Sequence, residues 1–228
     1  MANLAERLST VLARLREAER CYHRPPGSVA LLAVSKTQPA AVIAALAAAG
    51  QRQFGENYLQ EALEKIEALR QLDLEWHFIG PLQSNKTRGI AENFAWVHSV
   101  DRLKLAQRLS EQRPDTLPAL NICLQVNISD EASKRGLNAA ELADVAHAVA
   151  ELPRLRLRGL MAIPAPSTDF VAQRGSFTHL RELQATLIAT GVELDTLSMG
   201  MSDDLEAAIA EGATIVRVGT AIFGPRAG

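Results

Sequence analysis

The feature that most constrains this chain is a rhythm. Eight short runs rich in apolar or β-branched residues recur along its 228 residues, at 29–34, 53–56, 74–80, 95–100, 119–128, 155–163, 193–200 and 214–224. Each of the first seven is followed by a stretch of helical character. One more helix, with apolar residues at Leu4, Leu8, Val11, Leu12 and Leu15, precedes the first run. Strands separated by helices cannot pair through a tight turn. They form right-handed βαβ units and a parallel sheet. Eight such units predict an α/β fold: a single closed (β/α)8 TIM barrel with an extra N-terminal helix, at the compact end of the size range. The rival is an open doubly wound sheet, but no GxGxxG follows any of the runs, which argues against dinucleotide binding. No linker or low-complexity tract divides the chain, so one domain over 1–228 is expected.

Local signals mark the ends of several elements. Gly50 reads as the residue just past the helix at 39–49. Asp101 reads as the N-cap of a helix over 102–112, and Ser202 as the N-cap of a helix over 203–211. The last run, 214–224, reads as the closing strand.

Bulk chemistry narrows the function. A formal charge of −2 gives no footprint for nucleic acid or an anionic membrane. The one basic cluster, Arg154, Arg156 and Arg158, alternates with leucines, which puts the arginines on one face of a strand, paired with helix carboxylates rather than phosphates. Cys21 and Cys123 are far apart and belong to no CxxC, which argues against both a disulfide framework and a zinc site. The amino terminus has charges interspersed throughout and no signal-peptide core, and no stretch of about 18 apolar residues exists. A soluble, cytoplasmic protein is expected.

In parallel α/β folds ligands bind where the strands end. The run VALLAV at 29–34 is followed by Ser35 and a single Lys36, before Pro39 opens an alanine-rich helix. A lysine backed by apolar residues has its charged form disfavoured, and the free amine bonds aldehydes. A solvated lysine at a strand end is the alternative. The other loops that converge on the same mouth bring Asn57, His77, Asn127, Lys134, Ser198, Ser202, Arg217, Gly219 and Thr220.

Two of these loops read as an anion site. Ser202 stands where a helix starts, with free N–H groups and a favourable dipole, and Gly219 and Thr220 follow the last strand. Phosphate sites built from the loops after strands seven and eight recur in barrels. A cap and a turn with no ligand would look the same. An amine beside a phosphate cradle suits either a phosphorylated aldehyde substrate, as in a cofactor-free Schiff-base aldolase, or pyridoxal 5′-phosphate (PLP). Arg217 shares strand parity with Gly219. Facing a PLP ring, its permanent cation would keep the pyridine nitrogen unprotonated, and a salt-bridged barrel arginine is the other reading.

The motifs AVSKTQP, FGENYLQE, WHFIGPLQSNK, GLMAIPAP, TLSMGMSDDLEAAI and VRVGTAIFG, in this order and spacing, closely resemble the YggS/PROSC family of PLP homeostasis proteins. The resemblance covers essentially the whole chain. It implies a fold-type III PLP barrel like that of alanine racemase, with PLP held covalently on Lys36 as an internal aldimine. It also implies that Ser202, Gly219 and Thr220 grip the phosphate, that Arg217 lies by the pyridine nitrogen, and that Asn57, Ser198 and Met201 line the pocket. Family members often read SKTKP where this chain has Gln38. That leaves Lys65 and Lys134 as candidates for secondary PLP contacts, with a solvated role as the alternative.

Racemases of this fold complete their site with a second, β-rich domain and a tyrosine acid/base. This chain ends at Gly228, and its only tyrosines are Tyr22 and Tyr58, with Tyr58 read as packed on its helix. The expectation is therefore a non-catalytic monomer that buffers or delivers PLP to PLP-requiring apoenzymes, with no metal. A PLP-dependent amino-acid enzyme such as a weak racemase is the alternative, and the aldolase a third.

Overall fold

The protein is described from a computed structural model that covers residues 4–129 and 135–224. The helix α1 (Leu4–Cys21) comes first, then eight strand–helix units. These are β1 (Ala30–Val34) and α2 (Ala40–Ala48), β2 (Gln53–Glu56) and α3 (Leu59–Ala68), β3 (Glu75–Phe78) and α4 (Thr87–Asn93), and β4 (Trp96–Val100) and α5 (Leu103–Gln112). The second half holds β5 (Leu120–Gln125) and α6 (Ala139–Ala150), β6 (Leu155–Met161) and α7 (Phe170–Ala189), β7 (Thr196–Ser198) and α8 (Leu205–Ala210), and β8 (Ile215–Val218) and α9 (Thr220–Phe223). All strands are parallel and their order is that of the chain, with β8 returning to β1 to close the barrel. The (β/α)8 barrel with its leading helix is as the sequence predicts. Among the described residues no helix is long and apolar enough to cross a membrane.

The sequence pattern explains the layering. Alternate strand residues point outward into a large core between sheet and helices, built from residues such as Phe54, Val97, Ile122, Leu160 and Val216. The inward set is much smaller: Leu32, Trp96, Cys123, Met161 and Ile215 form its apolar part. Ala30, Ile79 and Ala95 pack against it, and His77, His98, Ser198 and Arg217 bring buried polar groups into the same centre, which is unusual for a barrel and sets up the site below. Gly159 on β6 is required by packing. A Cβ there would sit 1.7 Å from the Thr196 carbonyl oxygen of the adjacent strand.

Four local expectations need correction. The α5 helix starts at Leu103 with Arg102, not Asp101, at its N-cap, and the Asp101 carboxylate lies against the Arg102 side chain instead. The α8 helix starts at Leu205 with Asp204 at its N-cap, so Ser202 is not the cap. The last apolar run is a strand only to Val218. Past Gly219 it turns into the short helix α9, because an apolar run does not by itself distinguish a strand from a buried helical turn. Finally, Arg154 and Arg158 do pair with carboxylates, but those of Asp115 and Asp195, which lie in loops and not on helices. Gly50 follows the C-cap of α2 with φ 102°, the left-handed geometry expected of it.

Helix α1 is tied to the site's side of the barrel. It packs against α8 and α9, and Arg14 holds Glu206 of α8 at 2.9 Å and the Ser202 carbonyl at 3.2 Å.

Candidate functional site

Of the residues singled out from the sequence, Lys36, Asn57, Ser198, Met201, Ser202, Arg217, Gly219 and Thr220 stand at or just past the ends of four strands adjacent in the closed order, β7, β8, β1 and β2, whereas His77 lies on β3 and Asn127 follows β5. Lys36 stands in the turn directly after β1 and is half-buried. Asn57 follows β2, and its Oδ1 is buried without a hydrogen-bond partner among the described residues. A buried carbonyl oxygen left unpaired costs on the order of 1–3 kcal/mol, so this atom marks a place where a ligand group or water belongs.

After β7 the chain turns through Gly200, whose φ of 91° and close approach to Ala208 (2.5 Å for a Cβ) admit no other residue without strain. The turn delivers Met201, 37% exposed, and Ser202. Asp204 secures it by accepting from the Met201 N–H, and burial raises the Asp204 pKa. Ser202 Oγ accepts a long hydrogen bond (3.4 Å) from Ala221 N at the start of α9, so the loops after β7 and β8 do meet. Gly219 has φ −114°, open to any residue, and a Cβ on it would meet Val34 of β1 at an ordinary 3.5 Å. Thr220 beside it is exposed.

Arg217 and Ser198 lie deeper. Arg217 is 4% exposed, and burial pulls its guanidinium down to about 10, still protonated at neutral pH. Its Nη1 donates to the Ser198 carbonyl (2.5 Å) and Oγ (2.8 Å), and its Nη2 to the Ala162 carbonyl (2.9 Å). Nε–H and one Nη2–H have no partner among the described residues. Ser198 is fully buried, so it reaches the mouth through Arg217 and not by lining the surface.

A second network braces the turn that carries Lys36. Ser35 Oγ donates to Glu56 Oε1 at 2.6 Å. Lys65 Nζ donates to that same Oε1 and to the Ser35 carbonyl, both at 2.8 Å, and to Glu61. Glu61 in turn accepts from Thr37 N at 2.6 Å. The residues on either side of Lys36 are thus both held, and Thr37 is held in the left-handed region at φ 64°, strained for a β-branched residue. Glu56 is fully buried, and burial raises its pKa against the lowering effect of Lys65 and Ser35. All three protons of Lys65 are engaged, which leaves it no role as a secondary ligand amine. Lys134 lies outside the described residues.

Sequence reasoning missed several of these groups. Ser35 and Glu56 carry no ligand signal of their own, Lys65 stands in the sequence only as a candidate secondary PLP contact, and the meeting of the three depends on where α3 docks. His77 was expected near the mouth but lies inside the barrel, bonded to His98, which was not singled out. A period of two was the available signal, since His98 stands two residues after the inward Trp96. Tyr58, expected to pack on its helix, is 56% exposed as the N-cap residue of α3.

Comparison with known proteins gives a consistent picture. Residues 7–227 match the family described as alanine racemase, N-terminal domain. The chain is 63% identical to a pyridoxal phosphate homeostasis protein of Pseudomonas aeruginosa, covering 99% of this chain and 97% of that one. It is 55% identical to the protein of that name from Escherichia coli K12, covering 99% and 98%. Among solved structures, PipY of Synechococcus elongatus PCC7942, a member of the COG0325 family determined with PLP bound, superposes with a TM-score of 0.86 at 41% identity, covering 97% of this chain and all of that one. Alanine racemase of Corynebacterium glutamicum, at 19% identity and TM-score 0.70 over 96% of this chain and 61% of that one, shares the fold. On these likenesses the chain belongs to the pyridoxal phosphate homeostasis proteins, built on the alanine racemase N-terminal domain barrel.

Proposed function

We propose that this chain, as one domain over 1–228 and as a monomer, holds PLP at the β7–β8–β1–β2 arc of its mouth and serves cytoplasmic PLP homeostasis without turning over a substrate. The observation that carries the reading is the convergence there of a half-buried amine at Lys36, the unpartnered Asn57 Oδ1 and a buried cation at Arg217 with donors to spare. The names of the relatives and the PLP-bound state of PipY support it.

In this reading Lys36 supplies the amine for a covalent bond to the aldehyde carbon, and the turn held by Lys65 and Glu61 sets where that amine stands. Arg217 presents a permanent donor to the ring nitrogen. A donor that does not give up its proton leaves that nitrogen neutral, which weakens the ring as an electron sink and suits a carrier better than an enzyme. Ser202, Gly219 and Thr220 take the phosphate through hydroxyl and backbone N–H groups, and Asn57 and Met201 flank the ring. The bound group supplies an electrophilic aldehyde, and the protein's task is to keep it protected until a PLP-requiring apoenzyme takes it.

The test is an absorbance spectrum of the purified protein before and after borohydride, for wild type and Lys36→Ala. A PLP band in wild type, fixed by borohydride and lost in the variant, is expected. A colourless wild type that takes up no added PLP refutes the reading and returns Lys36 to the cofactor-free aldolase. A PLP-loaded protein that interconverts L- and D-alanine catalytically would replace carrier by racemase.

A further inference from the structure

Five polar side chains run through the barrel from its N-terminal face to Arg217. Glu75, the first residue of β3, accepts at Oε1 from Gln53 (2.8 Å) and lies 2.9 Å from His77 Nε2. His77 Nδ1 lies 2.9 Å from His98 Nε2 on β4. His98 Nδ1 lies 2.7 Å from Ser198 Oγ on β7, which accepts from Arg217 on β8. Both imidazoles and the serine are fully buried, and Glu75 is 39% exposed.

The direction of every proton in this row follows from either end. A carboxylate only accepts, so His77 carries its proton on Nε2. Neutral His77 then accepts at Nδ1, so His98 carries its proton on Nε2 and accepts at Nδ1 a hydrogen bond from the Ser198 hydroxyl. From the other end, guanidinium only donates, so Ser198 Oγ accepts from Arg217 and must place its own hydrogen on His98 Nδ1, its one other partner. The two deductions agree.

Neutrality of both rings is set by their surroundings. His77 is stacked on Trp96 of β4 at 5.4 Å, Arg158 of β6 lies over that same indole, and Arg217 faces His98. Burial lowers the pKa of both imidazoles, and the bond from His77 lowers that of Glu75.

We propose that Glu75, His77, His98 and Ser198 are positioning residues that form a one-way hydrogen-bond chain, holding the Arg217 guanidinium in one orientation with its spare donors toward the mouth. Among the described residues nothing else fixes Ser198 Oγ as an acceptor toward Arg217. Without the imidazole to take its hydrogen, the hydroxyl rotates and the guanidinium loses one anchor.

The first test needs no ligand: long-range proton–nitrogen NMR of 15N-labelled protein, with His77→Gln and His98→Gln for assignment. Both rings are expected as single Nε2–H tautomers, unprotonated from pH 8 to 7. An Nδ1–H tautomer or a protonated ring in that range overturns the chain. The second test compares Glu75→Leu with Glu75→Gln, at the exposed end far from the mouth. Leu removes the acceptor, so a mixed His77 tautomer is expected together with PLP affinity weaker by about tenfold, the size of one hydrogen bond to a charged group. Gln, whose carbonyl accepts in the same place, restores both. Ser198→Ala repeats the comparison from the other end and is expected to mix the His98 tautomers. Unmoved imidazole signals or unchanged PLP affinity in both Glu75→Leu and Ser198→Ala overturn the positioning role. This inference uses the proposed PLP site only in its affinity readout. If wild type binds no PLP, that reading falls while the imidazole spectra still decide the chain.

Discussion

Replacing Lys65 with methionine should cost far more than the loss of a surface lysine. Its side chain is 6% exposed and that of Glu56 is fully buried, so neither charge is compensated by water. Removing one partner of such a pair costs about 3–5 kcal/mol, because the other charge stays buried and alone. Glu56 can relieve part of that by taking up a proton, since burial already favours its neutral form. We therefore expect the low end, about 3 kcal/mol at pH 8. With an m-value of about 2 kcal/mol per molar, that shifts the urea midpoint by about 1.5 M. Lys65→Met/Glu56→Gln should recover part of the loss, leaving about 1–2 kcal/mol, because the amide still accepts from Ser35 and no charge is stranded. The pH dependence has a definite sign. A carboxyl whose pKa is raised in the fold stabilises the fold below its unfolded pKa, and that contribution is lost as pH rises through the folded value. In Lys65→Met the folded pKa rises further, so the variant's deficit should grow from pH 5 to pH 8, by at most about 1.4 kcal/mol per pH unit. Urea titrations at the two pH values decide it. A single-variant loss below about 1 kcal/mol, or a double variant that loses the sum of the single effects, refutes a buried, coupled pair.

Other consequences follow from the packing. Gly159→Ala drives a methyl into the Thr196 carbonyl at 1.7 Å, backbone against backbone, and should cost about 3 kcal/mol or more in thermal unfolding; a near-neutral result would mean that β6 and β7 separate easily. Native protein should present one titratable thiol to an aromatic disulfide reagent and two in urea. Cys21 is exposed, with its pKa raised chiefly by its contact with Glu17, whereas Cys123 is buried among the inward residues with its pKa pushed up to about 12. Rapid labelling of both in the native state would show that the barrel opens.

The barrel was legible because its signal is redundant. Eight strand-like runs separated by helices leave few alternatives, and misplacing one cap, as at Asp101 or Ser202, changes nothing downstream. The arc of the candidate site was legible too, since Lys36, Asn57, Ser202 and Arg217 stand at or shortly past strand ends and strand order follows chain order. What surrounds them was not. Lys65 looks like any lysine on a charged helix, and only the docking of α3 beneath the β1 turn brings it to Glu56 and Ser35. His77 was visible but assigned to the mouth. Its depth depends on strand register, and an error of one residue exchanges inside for outside. The pocket-lining place of Ser198 is implied by the family resemblance alone, and the sequence carries no signal that the short β7 strand buries it completely.

The two networks solve the same electrostatic problem in different ways. On the proposed reading the site uses a cation at Arg217 and a fixed amine at Lys36. Around Lys36 the solution is local, with a buried carboxylate and ammonium in contact, held by Ser35 and Glu61. Such a pair is stable only while both members remain, and it sets geometry better than it adds stability. Around Arg217 no carboxylate is in direct contact among the described residues, and Asp204 acts on it only through space. Placing Glu75 directly against the guanidinium would bury a second charge in the barrel centre, so the row puts neutral groups in the middle and leaves the carboxylate at the rim, where water shares its hydration. Each imidazole relays donor direction without carrying charge, so Arg217 is oriented by Glu75 while its cation is tied into no contact ion pair among the described residues and stays available to the mouth. A barrel centre filled with aliphatic side chains could pack equally well, but it would leave the guanidinium with carbonyl acceptors alone and Ser198 with no fixed hydrogen. The polar row is therefore best explained by what it presents at the mouth.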